Sequence, residues 1–335
     1  MKKNNGNKSE QGRTFFFGSE SATSTVIGAV LLLAIVFSVF SVVRIGYVPE
    51  WKNDAEYSHM DDVWEDMADI KSKIDMMSIV MASNPNSSYL NSSDPDSSSP
   101  QLVMSAPLHM GGGALPLIGP IKSSGTLAVN KDKCVMSIIA NPSDLDPKTV
   151  DPDMYFKSID CGTITYNSQN RYYVDQVFSY EGGALICGQK EQSVMMLYPS
   201  VRFSRTSANE YNVTINAIRI FEKEYYPPEV ISSNSGCSLR LAGLDYRPLY
   251  DSDIDNFGNI DRFKLTVYTR HPDAWKIYIE KTISDAGIDP GEYTIEKSES
   301  GSVRLTFPSE ASTIGLKRLY LSETVVSAEP GIGLN

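Results

Sequence analysis

Histidine and cysteine are scarce in this 335-residue chain, three of the first and four of the second. His59, His109 and His271 stand apart, with no Cys or His at ligand spacing, which excludes a local Cys/His zinc framework. No Gly-x-Ser-x-Gly or His-Glu-x-x-His run occurs, so the local signatures of α/β-hydrolases and zinc proteases are missing. His109-Met-Gly111-Gly112-Gly113 has no Lys-Ser/Thr after it and reads as a flexible turn rather than a phosphate loop. Positive charge is short as well: 30 Lys and Arg stand against 41 Asp and Glu, a net −11. A surface of that sign is a poor partner for nucleic acid or anionic lipid. Carboxylate pairs abound, as any acidic chain supplies them, and no spacing marks one as catalytic. The sequence therefore predicts a protein that is not an enzyme and needs no cofactor.

Long apolar runs are nearly absent too, with one exception. Residues 26–43 hold no charge and no Pro, and nothing more polar than Ser38 and Ser41. As a helix they rise roughly 27 Å, most of a hydrocarbon core. The run includes Val26, Ile27, Gly28, Leu31, Ile35 and Val43. It exceeds a secretory-signal core, and Arg44-Ile45-Gly46-Tyr47-Val48-Pro49 offers no small-x-small cleavage site after it. Tyr47 and Trp51 read as interfacial anchors of a retained helix. Residues 1–22 carry a net +2 and form a cytoplasmic leader by the positive-inside rule, which places the bulk outside the cell. Residues 1–44 carry +3, so the remainder carries −14, in keeping with an exported soluble body held by a lipid bilayer. Three sequons fall in that body, at Asn86, Asn91 and Asn212. So do Cys134, Cys161, Cys187 and Cys237, which permit two disulfides in any of three pairings or four buried thiols.

Pro49 breaks or kinks the apolar helix, and residues 49–83 carry a second helical pattern. Met60, Val63, Met67, Ile70, Ile74, Met77 and Met81 repeat at alternating spacings of three and four, with Trp64 broadening the stripe. The stripe suits either a coiled-coil seam between copies of the chain or packing on the chain's own β-domain. Four Met residues and only about three heptads favour the second, because dedicated seams use Leu, Ile and Val. Residues 84–100, rich in Ser, Asn, Asp and Pro, form a polar linker.

Beyond it the chain predicts strands over 102–105, 125–129, 134–140, 172–179, 183–187, 193–198, 211–221, 263–269, 303–307 and 316–326. Tyr180-Glu181-Gly182-Gly183-Ala184 predicts a hairpin tip. One helix interrupts, from Pro272 to about Ala286, with Trp275, Tyr278, Ile279 and Ile283 on one face. The predicted class is α+β: a membrane helix, an amphipathic helix, and a mainly antiparallel, sandwich-like head. Pro227-Pro228 and the Ser/Gly run after it predict two β-rich subdomains, 101–230 and 231–335. Asp251, Asp253 and Asp255, alternating before Gly258, resemble part of a calcium loop. Asn256 and Arg262 stand where such a loop wants Gly and Glu.

The stretch Ser24-Thr25-Val26-Ile27-Gly28-Ala29-Val30-Leu31 is similar to the start of archaeal type IV pilin-like proteins, which reads Ser-Pro-Val-Ile-Gly before a hydrophobic run. The order of membrane helix, amphipathic helix and β-rich head also resembles that family. Tyr180-Glu181-Gly182-Gly183-Ala184-Leu185 resembles a recurring turn in β-domains of archaeal surface proteins. Thr25 replaces the family's Pro, and Ser21-Ala22 stand where a basic residue is expected. The resemblance implies a membrane-anchored extracellular protein with a structural or adhesive role, or a minor pilus subunit, or a ligand-binding surface module. It further implies contact with pilus-type assembly machinery or with copies of itself, and leader cleavage between Ala22 and Thr23.

Overall fold

The structure, a computed structural model, describes residues 20–83, 102–111, 114–115, 119–120, 123–140, 155–221, 228–254 and 260–332. The predicted linker 84–100, with Asn86 and Asn91 in it, lies outside them, as do residues 1–19 and Asp255. The chain forms two compact units, Met1–Lys52 and Asn53–Asn335.

In the first unit, α1 (Glu20–Val42) passes into a π-helical turn, Val43–Tyr47, before α2 (Val48–Ser83) begins. The Val48 N–H bonds back five residues to the Val43 carbonyl. Pro49 gives the reason: its ring has no N–H to offer the preceding turn and crowds the carbonyl four residues back, so the helix widens there. Within the lipid-length run, the Ser38 and Ser41 hydroxyls each donate to the carbonyl four residues earlier, Ala34 and Phe37, both at 2.8 Å. Their polarity is thus satisfied inside the helix.

The second unit is built on three main sheets. The first orders β1 (Leu102–His109), β14 (Gly236–Asp251), β18 (Gly315–Ile332), β12 (Glu210–Ile220) and β11 (Val201–Arg205). The second orders β10 (Gln192–Leu197), β9 (Ala184–Gln189), β8 (Val177–Glu181), β7 (Thr163–Gln169), β4 (Ser124–Val129) and β13 (Glu229–Ser233). The third orders β16 (Thr294–Ser298), β17 (Ser302–Phe307), β15 (Phe263–Tyr268), β5 (Val135–Ala140) and β6 (Tyr155–Asp160). A two-residue pair, β2 (Ala114–Leu115) with β3 (Gly119–Pro120), stands apart. Pairing is antiparallel except between β12 and β18, which run parallel from Glu210↔Gly315 to Ile220↔Val326.

This topology corrects the predicted division at 230. The first and third sheets each mix strands from both sides of it, and the supposed boundary itself carries β13 and the start of β14. Strands pair by which apolar faces match, and here the matching faces lie far apart along the chain.

Two cores result. In one, α3 (Pro272–Asp285) buries Trp275, Tyr278, Ile279 and Ile283 among residues of β5, β11, β12, β15 and β17. In the other, the α2 stripe from Met60 to Met81 is buried beside Leu127, Tyr166 and Phe178 of the second sheet and Leu239 and Leu241 of the first. Trp64 rests on Phe178, ring centroids 6.4 Å apart. The Ser78 hydroxyl meets Thr324 Oγ1 at 2.9 Å and accepts from Asn216 Nδ2 at 2.8 Å. Seven buried side chains at about 2 kcal/mol each are worth on the order of 10 kcal/mol, comparable to the whole stability of a domain. The stripe is therefore committed to its own head and unavailable as a seam without unfolding.

Candidate functional site

Among the described residues, the most exposed apolar surface belongs to α1. Twelve large apolar side chains from Val26 to Val42 are exposed, Ile27, Leu31 and Ile35 each at about 60% or more. They surround the helix rather than lining one face, and a Cβ added at Gly28 would meet nothing. Among the described residues this is the one helix long and apolar enough to cross a membrane. The side chains of Ala22 and Thr23 lie outside the described residues.

Residues 56–66 of α2 are tied to the sheets of the second unit through polar groups. Glu56, fully buried, accepts three successive backbone N–H groups after β7: Arg171 at 3.0 Å, Tyr172 at 2.6 Å and Tyr173 at 2.7 Å. A carboxylate filling such a nest satisfies donors that no strand partner reaches. One turn on, His59 Nε2 lies 3.3 Å from the Tyr166 hydroxyl, which donates to the Met110 carbonyl at 3.2 Å. Burial holds the His59 pKa below its usual value, against the opposing pull of Asp62, Asp66 and Glu56. Asp66 accepts both the backbone N–H of His109, at 2.7 Å, and its Nδ1, at 2.8 Å. Histidines that are remote in sequence are thus brought to one side of α2, where they brace the helix.

The hairpin tip forms as predicted, with Gly182 and Gly183 both at positive φ. Its carboxylate is buried: Glu181 Oε1 accepts from Trp275 Nε1 at 2.7 Å and from the Thr269 hydroxyl. Burial pushes its pKa up to about 7, against the opposing effect of those two donors. The side chain ties the β8–β9 turn to β15 and α3.

Beside this junction lies a cavity of about 380 Å³, lined by Asp132, Asp175, Lys190, Glu191, Arg270 and His271 among others. Arg270 and Asp132 pair there at 2.6 Å. Burial, and then Arg270, hold the His271 pKa below its usual value, so Asp132, Asp175 and Glu191 face only two cations, Lys190 and Arg270. These residues come from four separate stretches of chain, so no local spacing points to them.

Of the three acids that resemble a calcium loop, Asp251 and Asp253 are described, and both face Arg318. Arg318 makes a two-pronged ion pair with Asp251, 2.9 Å from Nε and 2.5 Å from Nη2, and lies 3.3 Å from Asp253. Its guanidinium holds the Asp251 carboxyl below the usual carboxylate range and takes the position a cation would need. Among the described residues no cluster of three or more His, Cys, Asp or Glu is arranged to hold a metal ion.

Asn212 is half-buried within β12, between Ser204 of β11 and Arg318 of β18, not in the exposed loop that a glycosylated Asn requires. In this structure the four cysteines are free thiols: Cys134, Cys161 and Cys237 are buried, and Cys187 is partly so. Compared with known proteins, the chain matches no family model, no curated protein and no solved structure.

Proposed function

We propose that the chain is a non-enzymatic, membrane-anchored surface protein of archaeal pilin-like type, with a structural or adhesive role. The observation that carries this reading is the contrast between its two long helices. The α2 stripe is entirely covered by its own sheets, whereas α1 leaves apolar side chains open on every side. The net +2 of residues 1–22 and the −14 after residue 44 support an orientation with the N-terminus in the cytoplasm and the head outside.

The test is fractionation followed by proteolysis of intact cells. The chain is expected to stay with membranes through alkaline washing and to leave them in detergent. Added protease is expected to remove the head and spare a short N-terminal fragment. A head released by washing, or one shielded from protease in intact cells, overturns the reading.

A filament subunit is the second reading, favoured by the all-round apolar surface of α1 and the open space at Gly28, which permit close helix approach. The mass of the mature N-terminus decides it. Cleavage at Ala22–Thr23, with the protein present in sheared surface filaments, supports polymerisation. An intact Met1 rules it out.

A further inference from the structure

We infer that Cys134 and Cys161 form a structural disulfide when the head folds in an oxidising compartment, leaving Cys187 and Cys237 as thiols. The two face each other one step beyond the Val135↔Asp160 pair that ends the β5–β6 ladder. The Cys161 N–H donates to the Cys134 carbonyl at 2.8 Å. Residues opposed in that hydrogen-bonded register have Cα atoms about 5.5 Å apart, inside the window of about 4.4–6.8 Å that disulfides occupy. Opposed residues also send their side chains to the same face, and here both thiols are fully buried in the core that holds α3.

The Cys161 thiol acts directly on that of Cys134, as a neighbouring group does, while its own hydrogen bond runs to the Ile159 carbonyl at 3.8 Å. The backbone tie between the two residues is one-sided, because the Cys161 carbonyl accepts from Ile220 N–H at 2.8 Å instead. The other cysteines have no such partner. Cys237, on β14, is flanked by Leu108 and Ile332, and Cys187, on β9, by Phe178 and Val194.

The chemistry is exchange with a small disulfide such as oxidised glutathione. One cysteine thiolate attacks it, forming a mixed disulfide and releasing one glutathione thiolate. The second cysteine thiolate then displaces the other. The protein loses two hydrogens and two electrons, and two glutathione thiols are formed. The neighbouring Cys161 thiol, and then burial, push the Cys134 thiol well up from its usual pKa, which suppresses the attacking thiolate in the folded head. Exchange therefore belongs to folding, before the sheet closes over the pair.

The oxidising compartment rests on the exported-head reading; the pairing itself does not. The experiment unfolds and reduces the full chain in detergent, then refolds it with mixed reduced and oxidised glutathione. Alkylation and peptide mapping follow. The expected product is lighter by about 2 Da, alkylates at Cys187 and Cys237 alone, and yields one linked peptide pair containing Cys134 and Cys161. Its Tm is expected to rise by several degrees over the reduced form, because the link shortens the free loop of the unfolded chain. A Cys134→Ser/Cys161→Ser double variant is expected to show no such gain and to titrate two thiols under either condition. Four thiols after refolding, or a link through Cys187 or Cys237, overturns the inference. The buffer supplies the oxidant, so that failure would leave the membrane reading standing, and only the protease experiment bears on the latter.

Discussion

Replacing Glu181 by Gln is expected to leave stability unchanged in acid and to raise it at pH 8. In the folded head this carboxyl titrates near 7, against 4.5 for an ordinary Glu. Below about pH 4.5 both folded and unfolded chains carry the proton, and the group costs nothing. As pH rises the unfolded chain ionises first while the buried group keeps its proton, so the folded state loses ground until about pH 7. A gap of some 2.5 pH units corresponds to roughly 3 kcal/mol. The Gln side chain keeps an amide oxygen for Trp275 Nε1 and the Thr269 hydroxyl but has no charge to desolvate. The difference in Tm between E181Q and wild type, in detergent at about pH 4.5 to 8, isolates this residue from every other titration. It is expected to grow from near zero to roughly 5 °C. A difference that stays flat across that range refutes the argument, because it would mean the carboxyl ionises at the same pH folded and unfolded.

His59→Gln is expected to tilt the profile the other way. Its folded pKa is depressed by burial, so the wild type holds its advantage above pH 6.5 and loses it as pH falls below; Tm at about pH 5 against pH 7.5 checks this. Glu56→Ala strands the N–H groups of Arg171, Tyr172 and Tyr173. It is expected to cost about 3 kcal/mol and to speed hydrogen exchange at those three amides first. Gly125→Ala would place a Cβ 2.3 Å from the Tyr166 ring and 2.5 Å from the Met110 carbonyl. Neither neighbour is the loose end of a flexible chain, so a loss of about 3 kcal/mol is expected by denaturant titration.

Helices are the most legible part of the sequence, because each carries a signal that is complete within a few turns. The spacing of Met60, Val63, Met67 and Ile70 predicts the buried face of α2, and Pro272 with Gly287 brackets α3 closely. Strands with clean alternation, such as β5 and β12, are legible too. The long strand β14 is not, because Gly243, Asp245, Arg247 and Pro248 all read as interruptions. In the fold Arg247 lies 2.8 Å from buried Asp245 and 3.3 Å from Glu323 of β18, which Arg219 of β12 also approaches at 3.5 Å, so two basic groups balance two acids. Pairing order stays hidden for a related reason. Sheet neighbours such as β5 and β15 are separated by more than a hundred residues, and alternation reports which face is buried but not against what. The Asp251 run shows the same limit at a site. Its composition suits a cation, and Arg318, 67 residues further on, supplies one covalently attached to the chain.

The two long helices show why composition around a helix matters more than its total apolar content. α2 has a polar side, with Asp61, Asp62, Glu65 and Asp69 all exposed or partly so, and a single groove between two sheets therefore covers everything it needs covered. α1 has no such side. Burying one face of it on any sheet would leave the others in water, and its twelve exposed side chains at about 2 kcal/mol each represent on the order of 20 kcal/mol of unfavourable hydration. That exceeds the usual stability of a folded domain, so docking on a single surface is no remedy. What satisfies α1 is an environment that is apolar in every direction, as lipid chains are and as a bundle of identical helices is. Those two surroundings correspond to the anchored and the filament readings proposed above, and only the filament reading expects the bond after Ala22 to be cut.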